Sequence, residues 1–308
     1  MKKKNNLFLR GVQGVKIEKA PPSEMPPFFW KVIHPLAATL ISCLPSRIAR
    51  ALFLAGGSEN SDTHVVAKNP TTHIAVETMY TYPHRRAAGK TSFSDDLWER
   101  YLYNAIDVRN RLRLVEQELQ HLILLIAKQS IPVRPVRIVS VGCGSARAVI
   151  ESIASLNGRV RVDLSLIDIS RNALTFAEVL ASQFGINPST YRDFAQNIAK
   201  YSLNGRPHIV EMVGLLDYLA DKETVSLVSE IFKNLVPGGY LVTCNIVSNF
   251  EQGFVTKGIG WKMIYRRPEE LAQLLIEAGF PPSNIRLILT PLGIHCLAIC
   301  QKKPEEVA

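Results

Sequence analysis

Apolar positions in the second half of the chain recur with two different periods, and the alternation between them predicts an α/β fold. Compact apolar runs at 136–141, 164–168, 208–213 and 240–245 read as strands. Between the last two, Val225, Val228, Ile231, Phe232 and Leu235 fall on one stripe of a helix over 221–235, which Pro237, Gly238 and Gly239 end. Near the C-terminus Pro268 opens a helix through Leu271, Leu274, Leu275 and Ala278, and Gly279 closes it. Two more strands follow at 284–289 and 295–301. Upstream, a long helix is predicted with Ser94 as N-cap and Asp95 and Asp96 in its first turn, where negative charge suits the helix dipole. Its apolar residues Tyr101, Ala105, Val108, Leu112, Val115, Leu119, Leu122 and Ile126 form one continuous stripe. That stripe serves core packing or a dimer seam.

The first 93 residues follow another pattern. Residues 28–55 are mostly apolar, but Lys31, His34, Arg47 and Arg50 interrupt them and Pro35 and Pro45 break them. The longest clean run is too short for a bilayer core of about 30 Å. Within this segment 46–55 reads as a short amphipathic helix. The segment either packs on the rest of the chain as a lid or lies on a membrane surface. Residues 56–90 are rich in Ser, Thr, Asn, Gly and Pro, which suggests loops, with a strand at 72–77 and with Tyr80, Tyr82 and His84 in a stretch able to fold over a site. The chain therefore divides into an N-terminal extension over 1–93 and an α/β domain over 94–308.

Composition changes this picture little. At 308 residues, 47% hydrophobic and 20% charged, the chain has the make-up of a folded domain with one large core. The formal charge of +9 invites a nucleic-acid partner, but residues 1–130 hold 18 Lys or Arg against 11 Asp or Glu, so most of the excess is N-terminal. Lys2, Lys3 and Lys4 are a solvated tail or a contact to an anionic surface. No basic, aromatic-studded stretch or RNA module points to nucleic acid. The five cysteines show no CxxC pair and no metal-site spacing with histidines, so no metal is expected and a cytoplasmic location is. Cys296 and Cys300 should face one side of a strand as buried small residues. Residues 1–13 lack the apolar region of a signal peptide.

The chemistry begins at Val141-Gly142-Cys143-Gly144-Ser145-Ala146-Arg147, where a strand meets a glycine turn that opens a helix. Gly142 and Gly144 let the backbone bend and approach a ligand closely, and the helix N-terminus offers free N–H groups. Asp168 ends the next strand twenty-four residues beyond Gly144, close to the spacing at which nucleotide folds bind ribose hydroxyls.

Taken with the Pro237-Gly238-Gly239 turn, this order resembles class I S-adenosylmethionine-dependent methyltransferases over roughly 94–302. The resemblance implies a Rossmann-like seven-stranded sheet completed by a C-terminal antiparallel hairpin, with S-adenosyl-L-methionine as cofactor. It places the turn of Gly142 and Gly144 against the methionine part, Asp168 on the ribose and Asp193 on the adenine amino group. Ser145, Ile169, Phe194 and Gly214 complete the cofactor set. Ser140 stands where this family often has an acidic residue.

A finer resemblance is carried by Asp107-Val108-Arg109-Asn110-Arg111, Gly214 to Tyr218, Asn245, and Trp261 to Arg266 with Pro268 to Leu271. These look like a bacterial subgroup related to 3-hydroxy-fatty-acid methyl ester synthases. That likeness implies carboxyl O-methylation of a small hydrophobic acceptor, with Arg109 or Arg266 holding the carboxylate and Tyr218 lining the site. A carboxylate nucleophile needs no general base, and the sequence displays no indispensable one. An RNA methyltransferase, a noncatalytic or dehydrogenase-like nucleotide binder and an aminopropyl transferase share parts of the pattern. Oligomeric state is not indicated.

Overall fold

A computed structural model describes residues 12–129, 134–202 and 205–304; Lys2, Lys3 and Lys4 lie outside the described residues. The N-terminal part comprises β1 (Lys16–Lys19), α1 (Phe28–Cys43), α2 (Ser46–Leu54), α3 (Asp62–Lys68), α4 (His73–Ala87), α5 (Phe93–Tyr101) and the long α6 (Tyr103–Gln129). An alternating part follows with β2 (Val136–Val141), α7 (Arg147–Ser155), β3 (Val162–Asp168), α8 (Arg171–Gln183), β4 (Ser189–Arg192), β5 (Ile209–Val213), α9 (Asp221–Asn234) and β6 (Tyr240–Ile246). The short α10 (Gln252–Phe254), then α11 (Pro268–Glu277), β7 (Ile285–Leu289) and β8 (His295–Gln301) close the chain.

All the strands join one sheet in the order β1-β7-β8-β6-β5-β2-β3-β4, and only β8 runs against its neighbours. Side chains alternate across it. Ile138, Leu164 and Leu166 pack beneath α6, α7 and α8, while Val139, Val141 and Ile167 pack on the other face with α9 and α11. Each such fully buried side chain contributes about 1.5–3 kcal/mol. Cys296 and Cys300 are both buried in the second of these cores, as their spacing predicts. Because β2 sits between β3 and β5, successive crossovers leave it in opposite directions, and the loops after β2 and β5 diverge to open a crevice.

Three expectations need correction. The sheet has eight strands where seven are expected, since β1 pairs in parallel with the edge strand β7, Ile17 opposite Leu287. Four residues with a lysine at each end carry too weak a pattern to announce a strand; the Glu18–Arg286 ion pair helps to hold it there. Residues 56–90, expected as loops with a strand at 72–77, mostly form α3 and α4, with Ala75, Met79 and Tyr82 buried at helical spacing, so packing overrides the local preference of Thr, Ile and Val for strands. The long helix does not begin at Ser94. Ser92 caps α5 through reciprocal bonds with Asp95, and the chain breaks at Leu102 before α6 starts. The break is held from afar, because Glu251 accepts from the backbone N–H groups of Tyr103 and Asn104 at 2.7 Å each. A carboxylate at these free amides does the work of an N-cap.

Candidate active site

The turn after β2 carries three left-handed residues, Gly142 (φ +59°), Gly144 (φ +54°) and Ala146 (φ +53°). A Cβ on Gly142 would also lie 3.2 Å from Leu215 Cδ2, so this position requires glycine on two grounds. Asp168 fastens the turn: Oδ2 accepts from the Gly144 N–H at 2.9 Å and Oδ1 from the Ser170 N–H at 2.8 Å.

The crevice encloses a cavity of about 650 Å³. All eight residues expected to hold a cofactor, Gly142, Gly144, Ser145, Asp168, Ile169, Asp193, Phe194 and Gly214, line it, and so does Tyr218. Ile169 and Phe194 leave apolar side chains exposed. Asp193 organises its own loop, accepting from Tyr201 Oη (2.6 Å), Asn197 Nδ2 (2.6 Å), the Phe194 N–H (2.8 Å) and Lys200 Nζ (3.1 Å). Those donors, Tyr201 foremost, hold its carboxyl well below the usual range.

The N-terminal extension supplies much of the wall. Phe53, Val66 and Trp98 line the cavity from α2, α3 and α5. From the first half of α4, His73 packs near Gly144, and Val76, Met79 and Tyr80 face the space. Arg147, the first residue of α7, clamps α4 down, its Nη2 2.7 Å and its Nε 3.0 Å from the Glu77 carboxylate. Tyr82 and His84 do not reach the cavity. Tyr82 donates to Asp96, and its ring lies beneath the Arg109 guanidinium, 5.1 Å from ring centre to Cζ. His84 is exposed.

Neither Arg109 nor Arg266 lines the cavity. Arg109 is buried in a web of Glu24 and Glu99, its Nη2 2.6 Å from Glu24 Oε1 and its Nη1 2.5 Å from Glu99 Oε2. Arg266 donates to Asp221, to Asn245 Oδ1 and to the carbonyls of Leu216 and Leu219. It braces the 3-10 turn Leu216–Tyr218 that carries Asp217 and Tyr218. Every nitrogen of these two guanidiniums donates within the scaffold, and neither side chain lines the cavity.

Two other arginines line the cavity: Arg147, paired with Glu77, and Arg111, one helical turn from Asp107 on α6. Arg111 is buried, and its Nη2 donates to Tyr80 Oη at 3.2 Å. Among the described residues its Nε has no partner and no carboxylate lies within ion-pair distance. Burial pushes the nearby Glu211 carboxyl up to about 7 and that of Asp217 up to about 6, which disfavours the ionised form of both beside it. Ser140 donates to Glu211 on the neighbouring strand. Tyr218 accepts from Trp261 Nε1 at 2.7 Å, which leaves its own proton free to donate; burial raises its phenol above the ordinary range. His295 also lines the cavity, its Nδ1 3.5 Å from Asp107 Oδ2, and burial lowers its imidazole. Arg111, Glu211 and His295 were not singled out from sequence. The motif running from Asp107 to Arg111 holds two arginines, and of these it is Arg111 that lines the cavity.

A doubly wound sheet with an antiparallel final strand, a glycine turn after β2 and an acid ending β3 defines the class I methyltransferase fold. Residues 71–302 match the family described as "Putative methyltransferase", and the chain belongs to that family. Among solved structures, it is similar to a protein of Bordetella parapertussis described as a possible exported protein (19% identity over 87% of this chain and 97% of that one, TM-score 0.64). It is also similar to magnesium protoporphyrin IX methyltransferase of Synechocystis PCC 6803 with bound SAH (14% identity, 75% and 98% covered, TM-score 0.50). The citrinin polyketide synthase CMeT domain aligns with 14% identity over 89% of this chain and 68% of that one, TM-score 0.51. At such identities the likeness is one of fold. No curated protein matches the sequence significantly.

Proposed function

We propose that this methyltransferase uses S-adenosyl-L-methionine to methylate the carboxylate of a small hydrophobic acceptor, a hydroxylated fatty acid. The observation that carries the acceptor reading is Arg111, a buried cation facing the cavity with an unpartnered Nε and no carboxylate within ion-pair distance among the described residues. A desolvated charge of this kind is costly unless an anion joins it.

The cofactor fits the residues present. The turn holds Gly142 and Gly144 in left-handed conformation, and a Cβ on Gly142 would crowd Leu215; Asp168 offers carboxylate lone pairs at the end of β3, and Ile169 and Phe194 give apolar surface for a base. When bound, S-adenosyl-L-methionine supplies an electrophilic methyl on a sulfonium. The protein's task is alignment and exclusion of water. Arg111 and the hydroxyl of Tyr80 would orient the acceptor carboxylate, Tyr218 would donate from the β5 side, and Phe53, Val66 and Trp98 would shelter the chain. A carboxylate requires no base, consistent with an imidazole pair, His73 and His295, whose basicity burial reduces. Unpaired cysteines, three of them buried, suit a reducing cytoplasm.

A second reading rests on His295 and Asp107, which together resemble a base and its orienting carboxylate and would favour a hydroxyl acceptor. One experiment separates the two. Purified protein is given labelled cofactor with medium- and long-chain 3-hydroxy acids, and products are resolved by mass spectrometry. Methyl esters support the carboxylate reading, methyl ethers favour the second, and methylation of amines alone rejects both.

A further inference from the structure

The helix α1 turns a continuous apolar face to solvent. Phe28, Val32, Leu36 and Leu40, four residues apart, are between 69% and 82% exposed and run the length of the helix. Phe29 and Ile33 widen the stripe, and Ile48 and Leu52 of α2 are exposed as well. The opposite face is anchored to the domain. Trp30 Nε1 donates to the Tyr101 carbonyl at 2.7 Å, and buried His34 stacks on Tyr103 and bonds Glu251 at 2.6 Å. These inner contacts fix which side looks outward, so the exposed side is a built surface. Isolated exposed apolar residues need no explanation, but a contiguous patch of this extent marks an interaction site.

Charge identifies the partner. From Met25 to Ser58 the chain has no Asp or Glu, whereas Lys31, Arg47 and Arg50 are present. Arg50 is turned inward to the carbonyls of Ile259 and Ala67, while Lys31 and Arg47 are exposed. A second copy docked on this face would set cations against cations with no carboxylate to receive them. An anionic lipid surface meets both the apolar stripe and its basic rim. With 16 residues α1 is about 24 Å long, short of the roughly 30 Å core of a bilayer, and no helix among the described residues is long and apolar enough to cross.

We propose that α1 docks this protein on anionic membrane, lying in the plane of the interface with Phe28, Val32, Leu36 and Leu40 among the acyl chains. Docking would bring the apolar wall of the cavity close to the bilayer, because Phe53 of α2 lines it and α10, against which α1 packs, leads into Val255 and Ile259, which line it as well. The binding itself is independent of the reaction proposed above.

The test is vesicle flotation of the full chain without cofactor or acceptor, using phosphatidylcholine vesicles with and without phosphatidylglycerol. The wild type should float with the phosphatidylglycerol vesicles. The double variant Leu36→Glu with Leu40→Glu should lose at least about tenfold in partitioning while its thermal melt is unchanged, since both side chains are exposed. Lys31→Glu should lose about fivefold on anionic vesicles only. Failure of the wild type to float, or equal flotation of the double variant, overturns the proposal. So does a wild-type dimer that sedimentation shows the double variant to dissolve while vesicles stay unbound, which would assign the face to a second copy.

Discussion

Arg111 reaches the hydroxyl of Tyr80 at 3.2 Å across the cavity wall, and among the described residues its buried guanidinium has no other hydrogen-bond partner. Two residues earlier on the same helix, Arg109 is saturated by Glu24 and Glu99. The two arginines should therefore fail differently. Arg111→Met should lower kcat/KM for the acceptor about ten- to a hundredfold, the cost of about 1.5–3 kcal/mol for a charge-assisted contact, with little loss of stability. Arg109→Met should instead lower the melting temperature, because it strands two carboxylates. Steady-state kinetics, thermal melts and calorimetric titration of S-adenosylhomocysteine check this together. A loss confined to cofactor affinity would place Arg111 on the cofactor's own carboxylate.

Glu211 gives a pH dependence of definite sign. Its pKa in the fold, about 7, lies above the ordinary 4.5 because burial disfavours the ionised form. The native state then binds the proton more tightly than the unfolded chain does, so stability is greatest below about pH 4.5 as far as this group is concerned and declines as pH rises toward 7. Glu211→Gln should flatten that decline in denaturant titrations between pH 5 and 8.

Ionisation of Glu211 and Asp217 also places negative charge near Arg111. Affinity for an acceptor carboxylate should accordingly fall as pH rises from about 6 to above 7, through the values of these two groups. An acceptor KM that stays flat over pH 6–8 would contradict this.

Asp168→Ala should weaken binding of S-adenosyl-L-methionine or its demethylated product by about 1–3 kcal/mol. It removes the expected ribose acceptor and also the bond that holds the Gly144 N–H. Isothermal calorimetry measures the effect directly, and preferential binding of NADH would count against the methyl-donor reading.

Glu251 joins three separate stretches of chain, accepting from the amides of Tyr103 and Asn104 and meeting His34 of α1. Glu251→Ala should cost about 3–5 kcal/mol in urea unfolding, as for removal of one member of a buried charged network. Glu251→Gln, which keeps an acceptor oxygen, should cost less.

Much of the fold was legible because its causes are local. A buried parallel strand needs a continuous apolar run, a left-handed turn needs glycine, and a helix that packs on one side repeats its apolar residues every three or four positions. Those needs mark β2, β3, β5, β6, α9, α11 and the turn at Gly142 and Gly144, and every residue assigned to the cofactor lines the cavity. What depended on distant partners was not legible. β1 exists through its ladder with β7, and α6 begins at Tyr103 because a carboxylate 148 residues away caps it. The sequence alone determined that arginines stand at 109, 111 and 266. At about 100° per residue, Arg109 and Arg111 leave α6 on different sides. Only the packing of α5, the stretch at Glu24, α4 and the β5 loop around that helix decided which one meets glutamates and which one meets the cavity.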